Sequence, residues 1–328
     1  MHKEGSVHDG TFPRCPICGA DSDLVRNLPA EHTRSALMEY YGPTLTAVET
    51  RDYSIRRCSA CTLEFADPLD PGTAEFYEQL GQQADYYPTE RWEWSYVLSE
   101  IKARQIRTVL EIGCGSGSFM QKLRAIPGCS VTGVDINPMG IAKCRSKGLN
   151  AFCETAEEHL QRTGMQYDCT VSFHCLEHVS APLEFARTVH FLTHKNGRMY
   201  LSTPFSPMSF EGLWYDPLNH PPHHMTRWNA HSYQVLARNL GLQCRLASPT
   251  AGSALRRAAM SVALCTHRSP GGLTRARIRG SVMLHPVVFA RDLFRQVQRE
   301  RLDGKPAGDV VLAIFSAGDC GTHGANGA

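Results

Sequence analysis

The sequence has no long apolar run. Nowhere does it reach the ~20 consecutive apolar residues that a membrane-spanning helix requires, and the opening MHKEGSVHDGTF lacks the apolar core of an export leader. Excess charge of one sign is also missing. With 34 Lys and Arg against 32 Asp and Glu, the formal net charge is +2, so global charge points to neither nucleic acid nor membrane. Cysteine, by contrast, is plentiful at 13 residues. Without an export signal a disulfide framework is not expected, and Cys169, Cys175 and Cys265 lie in apolar stretches where a thiol packs as a small hydrophobe. A hydrophobic content of 42% over 328 residues is enough for a packed core, and the composition predicts a cytoplasmic protein.

Four cysteines stand apart from the rest. RCPICGA supplies Cys15 and Cys18, and RRCSACTLEF supplies Cys58 and Cys61, each pair in Cys-x-x-Cys spacing. Two such turns bring four thiolates together, the donor set of tetrahedral structural Zn²⁺. A redox dithiol is the alternative, but such pairs open a helix, whereas these flank a polar insert in which AEHTRSALMEYYG predicts a short helix. The expected organisation is a zinc-ribbon-like module over 11–66 and an aromatic-rich helical linker or lid over 67–104. An α/β domain follows over 105–318, and a disordered tail over 319–328. The aromatics of the linker, among them Phe76, Tyr77, Tyr86, Tyr87, Trp92 and Trp94, either pack on the next domain or cover a ligand.

From residue 107 apolar strand-like runs alternate with helical ones. RTVLEIGC, SVTGVDI, YDCTVSF, GRMYLSTPF, LQCRLAS and GDVVLAIFSA read as strands, and NAHSYQVLARNLG as a helix capped by Asn229 and closed by Gly241. Alternation of this kind predicts a doubly wound, Rossmann-like parallel sheet. The segment 251–305 is basic, with ten arginines and one lysine against Asp292, Glu300 and Asp303 for a formal +8. In PVVFARDLFRQVQRERL an apolar face opposes an arginine face. This predicts a helix whose charged face is solvated, or one that touches anionic lipid or phosphate.

VLEIGCGSGSF carries the most chemistry. A strand runs into Gly113, Gly115 and Gly117, where a chain without Cβ atoms turns sharply and approaches a ligand closely. Glu111 precedes the first glycine. Asp135 closes the next strand, where a carboxylate accepts both ribose hydroxyls. Spacing GxGxG rather than GxGxxG favours an adenosine ligand without a pyrophosphate. VLEIGCGSG, GVDINP, YDCTVSFHCLEHV and NGRMYLSTPF, in this order, resemble the class I S-adenosylmethionine-dependent methyltransferases. The resemblance implies that Gly113, Gly115 and Gly117 lie under the methionine and ribose, that Asp135 holds the ribose, and that Ile136 packs on the adenine. It places Thr155 and Ala156 at the adenine edge, with His174 and Cys175 beside the sulfonium. The four-cysteine module ahead of this domain and the PPHH loop after it resemble zinc-ribbon methyltransferases of polysaccharide, sugar and natural-product pathways. They also resemble the dTDP-sugar C-methyltransferases, whose large C-terminal domain this chain lacks.

DPLNHPPHHMTRW, residues 216–228, would lie over the carboxyl edge of the sheet, and Pro221 and Pro222 stiffen it. Methyl transfer is an in-line displacement that needs an oriented acceptor and, for a hydroxyl, removal of a proton. His224 first, then His223, with His178 opposite, are the expected catalytic residues, with Arg227 for an anionic group of the acceptor. A rival reading groups His174, Glu177 and His178 with His223 and His224 as a divalent-metal site distantly resembling that of small-RNA 3′-end methyltransferases. The expected acceptor is a sugar, nucleotide-sugar or glycan intermediate. The alternatives are RNA gripped by the zinc module and the arginines, or a non-catalytic zinc-ribbon binding protein.

Overall fold

The computed structural model describes residues 13–41, 45, 50–82, 88–211, 219–249, 252–267, 275–303 and 308–318. Tyr86, Tyr87 and the tail expected to be disordered lie outside them. Among the described residues no helix is long and apolar enough to cross a membrane.

The cysteine-rich end folds as β1 (Ser22–Leu28), α1 (Ala30–Tyr41), β2 (Tyr53–Cys58) and β3 (Glu64–Asp67). The helix expected between the knuckles is α1. The linker forms α2 (Ala74–Gly81), capped by the Thr73 hydroxyl, and α3 (Trp92–Arg104). Then come β4 (Thr108–Ile112), α4 (Ser118–Arg124), β5 (Ser130–Asp135), α5 (Pro138–Ser146), β6 (Ala151–Cys153), α6 (Ala156–Thr163) and β7 (Tyr167–Phe173). A 3₁₀ turn over Leu176–His178 leads to α7 (Pro182–Phe191), β8 (Thr193–Pro204), β9 (Thr226–Arg227), α8 (Ala230–Leu240) and β10 (Gln243–Ala247). Three helices, α9 (Ala254–His267), α10 (Arg275–Leu284) and α11 (Pro286–Asp303), precede β11 (Val310–Ser316). The expected Asn229 cap of α8 is present, its side chain accepting from Ser232 N–H.

Seven strands form one sheet in the order β10-β11-β8-β7-β4-β5-β6. The five from β8 to β6 are parallel, and β11 alone runs against its neighbours. The fold is a doubly wound α/β sheet with this one reversal, because β11 re-enters from the far end after the three inserted helices. Residues of β4 alternate between the two faces. Leu110 and Ile112 meet α7 and α8 through Phe185, Val189 and Leu236, while Val109 meets α3 and α4 through Trp94, Val97 and Phe119. Burial on both faces is what a central parallel strand requires. The linker aromatic Trp94 is therefore core, stacked edgewise near Phe173 and beside Phe119.

A second, four-stranded sheet has the order β1-β2-β3-β9. Its last strand arrives from residues 226–227, more than a hundred residues after the others, pairing Phe65 with Thr226 and Glu64 with Arg227. The histidine loop is thereby sewn to the cysteine-rich end. Ala66 N–H donates to Met225 O, Gly72 N–H donates to Pro222 O, and on the other side Met225 N–H donates to Glu177 O.

Candidate active site

The strand order places β4 and β7 side by side with their connections leaving in opposite directions. A crevice forms at the carboxyl ends of such a pair. Gly113, Gly115 and Gly117 stand there at φ +78, +52 and +78. A Cβ on Gly113 would come within 2.1 Å of Cys175 Sγ, and one on Gly117 within 2.5 Å of Leu149. At both positions the neighbouring side chains leave no room for a Cβ, so the turn can pack only with glycine. Asp135 accepts from Gly115 N–H at 2.7 Å and from Asn137 N–H at 2.8 Å, so its carboxylate shapes the turn and keeps further lone pairs for a diol. Glu111 is buried beneath, its Oε2 without a hydrogen-bond partner. Burial pushes its carboxyl well above the usual range, with Cys144 and Asp135 adding to the effect. An unpartnered buried oxygen at a glycine turn that also holds the Asp135 carboxylate fits a ligand bearing an amine and a ribose, as S-adenosylmethionine does.

Other expected cofactor residues fall around this turn. Ile136 follows β5 and is 67% exposed, an apolar surface open to an adenine ring. The Thr155 hydroxyl accepts from Glu158 N–H in a capping box at the start of α6, so that group is engaged in the helix cap, and Ala156 is buried behind it. His174, at φ +54, is clamped by two carboxylates, with Nε2 at 3.0 Å from Glu93 Oε1 and Nδ1 at 3.2 Å from Glu177 Oε1. Burial lowers the proton affinity of the His174 ring, but Glu177 and Glu93 outweigh it and hold its pKa above the usual value. Glu93 was not anticipated. Its signal is a lone acid between two tryptophans in RWEWSY.

His178, His223 and His224 come together beyond Cys175. Their ring centroids are 4.5, 4.8 and 4.6 Å apart, and one ligating atom from each lies within 4.8 Å of the others. His178 Nδ1 lies 2.7 Å from His223 O, an acceptor only, so this nitrogen carries the proton. His224 Nδ1 lies 3.1 Å from Asn219 Oδ1, whose own amide donates to Glu211 at 3.0 Å. Burial lowers the proton affinity of both rings, and neighbouring histidines add to it at His224. Tyr77 lies over the cluster, 5.7 Å from the His178 ring and 5.9 Å from that of His223, its hydroxyl donating to His223 O. The expected five-residue grouping divides in two. His174 and Glu177 engage each other, while His178 joins the loop histidines. His220 turns to Arg227, 3.3 Å away. Arg227 is paired with Glu211 and with Glu64 at 3.5 Å, so its charge is already matched within the protein.

The four cysteines converge. Cys15 Sγ lies 3.4 Å from Cys61 Sγ and Cys18 Sγ 3.5 Å from Cys58 Sγ, with all four sulfurs within 4.8 Å of one another. A tetrahedral zinc with Zn–S of about 2.3 Å sets its sulfurs about 3.8 Å apart. Cys58 Sγ also accepts from Ala60 and Cys61 N–H. The donor set fits zinc.

A methyltransferase domain profile matches residues 56–247, well over half the chain and spanning both the glycine cradle and the histidine loop. The chain belongs to the methyltransferase domain family. Over 103 residues this methyltransferase is 35% identical to a ubiquinone biosynthesis O-methyltransferase of Aeromonas salmonicida, a stretch covering 30% of this chain and 43% of the relative. Over 119 residues it is 28% identical to a tRNA U34 carboxymethyltransferase of Pseudoalteromonas translucida, 34% of this chain and 36% of that one. It thus spans less than half the length of these curated relatives. Among solved structures, the plantazolicin methyltransferase BamL aligns with a TM-score of 0.43 at 15% identity, covering 69% of this chain and 84% of BamL.

Proposed function

We propose that the chain transfers the methyl group of S-adenosylmethionine to a hydroxyl of a small-molecule acceptor, a sugar, nucleotide-sugar or glycan intermediate. One observation carries the reading. Cys175 packs against Gly113 of the cradle, and His178, three residues on, joins His223 and His224, so donor and proton-handling groups share one carboxyl edge. S-adenosylmethionine supplies an electrophilic methyl carbon on a sulfonium. Gly113, Gly115, Gly117, Asp135 and Ile136 would hold and orient it, with Glu111 beneath. The histidine end would take the proton of the acceptor hydroxyl and hold its oxygen in line with the methyl carbon, and the bound sulfonium would supply the methyl group and leave as a neutral thioether.

Cys15, Cys18, Cys58 and Cys61 hold a structural Zn²⁺ in this reading, and the module they close serves to fix the histidine loop through β3 and β9. The O-methyltransferase relatives agree with an oxygen acceptor. The inserted helices add a contact with an anionic surface, which suits an acceptor carried on lipid. Met283, Leu284 and Val287 are 78%, 77% and 79% exposed where α10 meets α11, and Arg275, Arg277 and Arg279 are exposed on α10.

The test is incubation of the full chain with methyl-labelled S-adenosylmethionine and fractionated host extract. Label in the polar small-molecule or glycan-lipid fraction is the expected outcome. Label in RNA would overturn the acceptor class, and absence of any transfer, together with no binding of S-adenosylmethionine, would overturn the activity.

A further inference from the structure

We propose that His178, His223 and His224 form a second metal site, separate from the cysteine cluster, that binds one divalent transition-metal ion of the zinc, cobalt or nickel type. The argument begins with the packing. Three imidazoles touch ring against ring, and His223 and His224 are 5% and 9% exposed. Protonated rings at such spacing would repel one another, which favours neutral imidazoles, and a neutral imidazole keeps one nitrogen lone pair.

The hydrogen bonds fix where two of those lone pairs are. His178 gives its Nδ1 proton to His223 O, and His224 gives its own to Asn219 Oδ1, which leaves Nε2 as the lone-pair nitrogen in both. Asn219 is in turn oriented by Glu211. Outer partners of this kind, a carbonyl on one ring and an oriented amide on another, are what set the tautomer and direction of metal-binding histidines. The backbone is fixed from both sides, by Ala66 and Gly72 on the cysteine-rich side and by Glu177 on the other. A tetrahedral ion with nitrogens at about 2.0–2.1 Å sets them about 3.4 Å apart. One ring nitrogen of each histidine lies within 4.8 Å of the others, about 1.4 Å beyond that spacing at most. Nitrogen donors alone suit zinc, cobalt or nickel rather than magnesium or calcium. Three protein ligands also leave a position open, as in catalytic rather than structural sites.

The inference rests on the reading that the histidine end of the crevice receives the acceptor. An ion there would lower the proton affinity of the acceptor hydroxyl. The expected sequence-level role of His224 as a free base is then taken over by the three histidines as a ligand set.

The experiment is a titration of the full chain with Co²⁺, after a chelator too weak to strip thiolate-bound zinc, followed by visible absorption and by metal analysis. The expected result is one equivalent of Co²⁺ with d–d bands of a nitrogen and oxygen environment and no thiolate charge-transfer band. His178→Gln and His224→Gln should each weaken that binding by at least ~100-fold while S-adenosylmethionine affinity by calorimetry is retained. A wild-type chain that takes up no Co²⁺ beyond the cysteine site overturns the proposal, and this measurement needs no variant to fold. Undiminished Co²⁺ uptake in both variants overturns it as well. If Co²⁺ fails to bind while label still passes to an acceptor, the metal site falls and methyl transfer stands. If S-adenosylmethionine does not bind, the reading of the cradle falls by itself.

Discussion

Gly113 sits at φ +78 with the Cys175 sulfur where its Cβ would be, 2.1 Å away. Alanine there meets two separate obstacles. The left-handed backbone costs an L-residue about 1–2 kcal/mol, and the sulfur must move before anything else fits. Gly113→Ala should weaken S-adenosylmethionine binding by more than ~10-fold, measured by calorimetry. Adding Cys175→Ala should recover only part of the loss, because it removes the clash and leaves the backbone strain. Full recovery would mean that the positive φ is unimportant. A second residue-scale prediction concerns Glu154, whose carboxyl is held down at about 2 chiefly by Arg162 and also by His159. A carboxyl with a lowered folded pKa stabilises the fold above its unfolded value near ~4.3 and loses that contribution as pH falls toward the folded one. Glu154→Gln should therefore lower Tm at pH 6, and the gap to wild type should close between about pH 4.5 and 2. A gap that widens on acidification would contradict the assignment.

At the scale of elements, β9 connects two parts of the chain that the sequence presents separately. It spans two residues, yet it pairs with β3 and brings the loop carrying His223 and His224 against the cysteine module. Loss of zinc should then be felt at the histidines. Cys58→Ser/Cys61→Ser should release about one zinc per chain and destabilise the protein by several kcal/mol, lowering Tm by roughly 5–10 °C. It should also slow methyl transfer more than it weakens S-adenosylmethionine binding, since the cradle belongs to the other sheet. Equal losses in both would show that the module does not act through the loop. This element also marks where the sequence stopped being readable. The strands around the glycine turn were legible from their periodicity, and the helix caps at Asn229 and Gly241 from residue type. A two-residue strand has no periodicity to detect, and its partner lies over a hundred residues away. The same limit applies within the site. His223 and His224 are visible as a pair, but whether His174, His178 or His220 joins them depends on buried partners. Glu93 and Glu177 draw His174 away, and the matched charges of Glu64 and Glu211 on Arg227 draw His220 away.

For the molecule as a whole, the inserted helices bear on the same edge of the sheet. Gln296 of α11 donates to Ser209 O at 2.7 Å, and Ser209 is held by Asp309 at the entry to β11, so the helices are fixed against the segment that follows β8. That segment carries Glu211, which orients Asn219 beside His224. The exposed apolar tip of α10 and α11 is thus linked through hydrogen bonds to the histidine end of the crevice. Its composition differs from that of an ordinary solvated surface. Met283, Leu284, Val287 and Phe294 expose apolar area within a segment of formal charge +8, and apolar insertion combined with cationic attraction is how amphipathic helices hold anionic bilayers. The full chain should co-sediment with vesicles containing phosphatidylglycerol and not with pure phosphatidylcholine. Binding should weaken as salt rises, at about 1 kcal/mol per arginine near the surface. Leu284→Glu/Val287→Glu should abolish it at any salt concentration, because those side chains are solvent-exposed and their replacement leaves the core intact. If the tip is instead an interface between copies of this chain, the same variant would change the sedimentation coefficient in the absence of lipid and leave vesicle binding as it was. If neither changes, the arginine face is a solvated surface, and an acceptor must reach the histidines from solution.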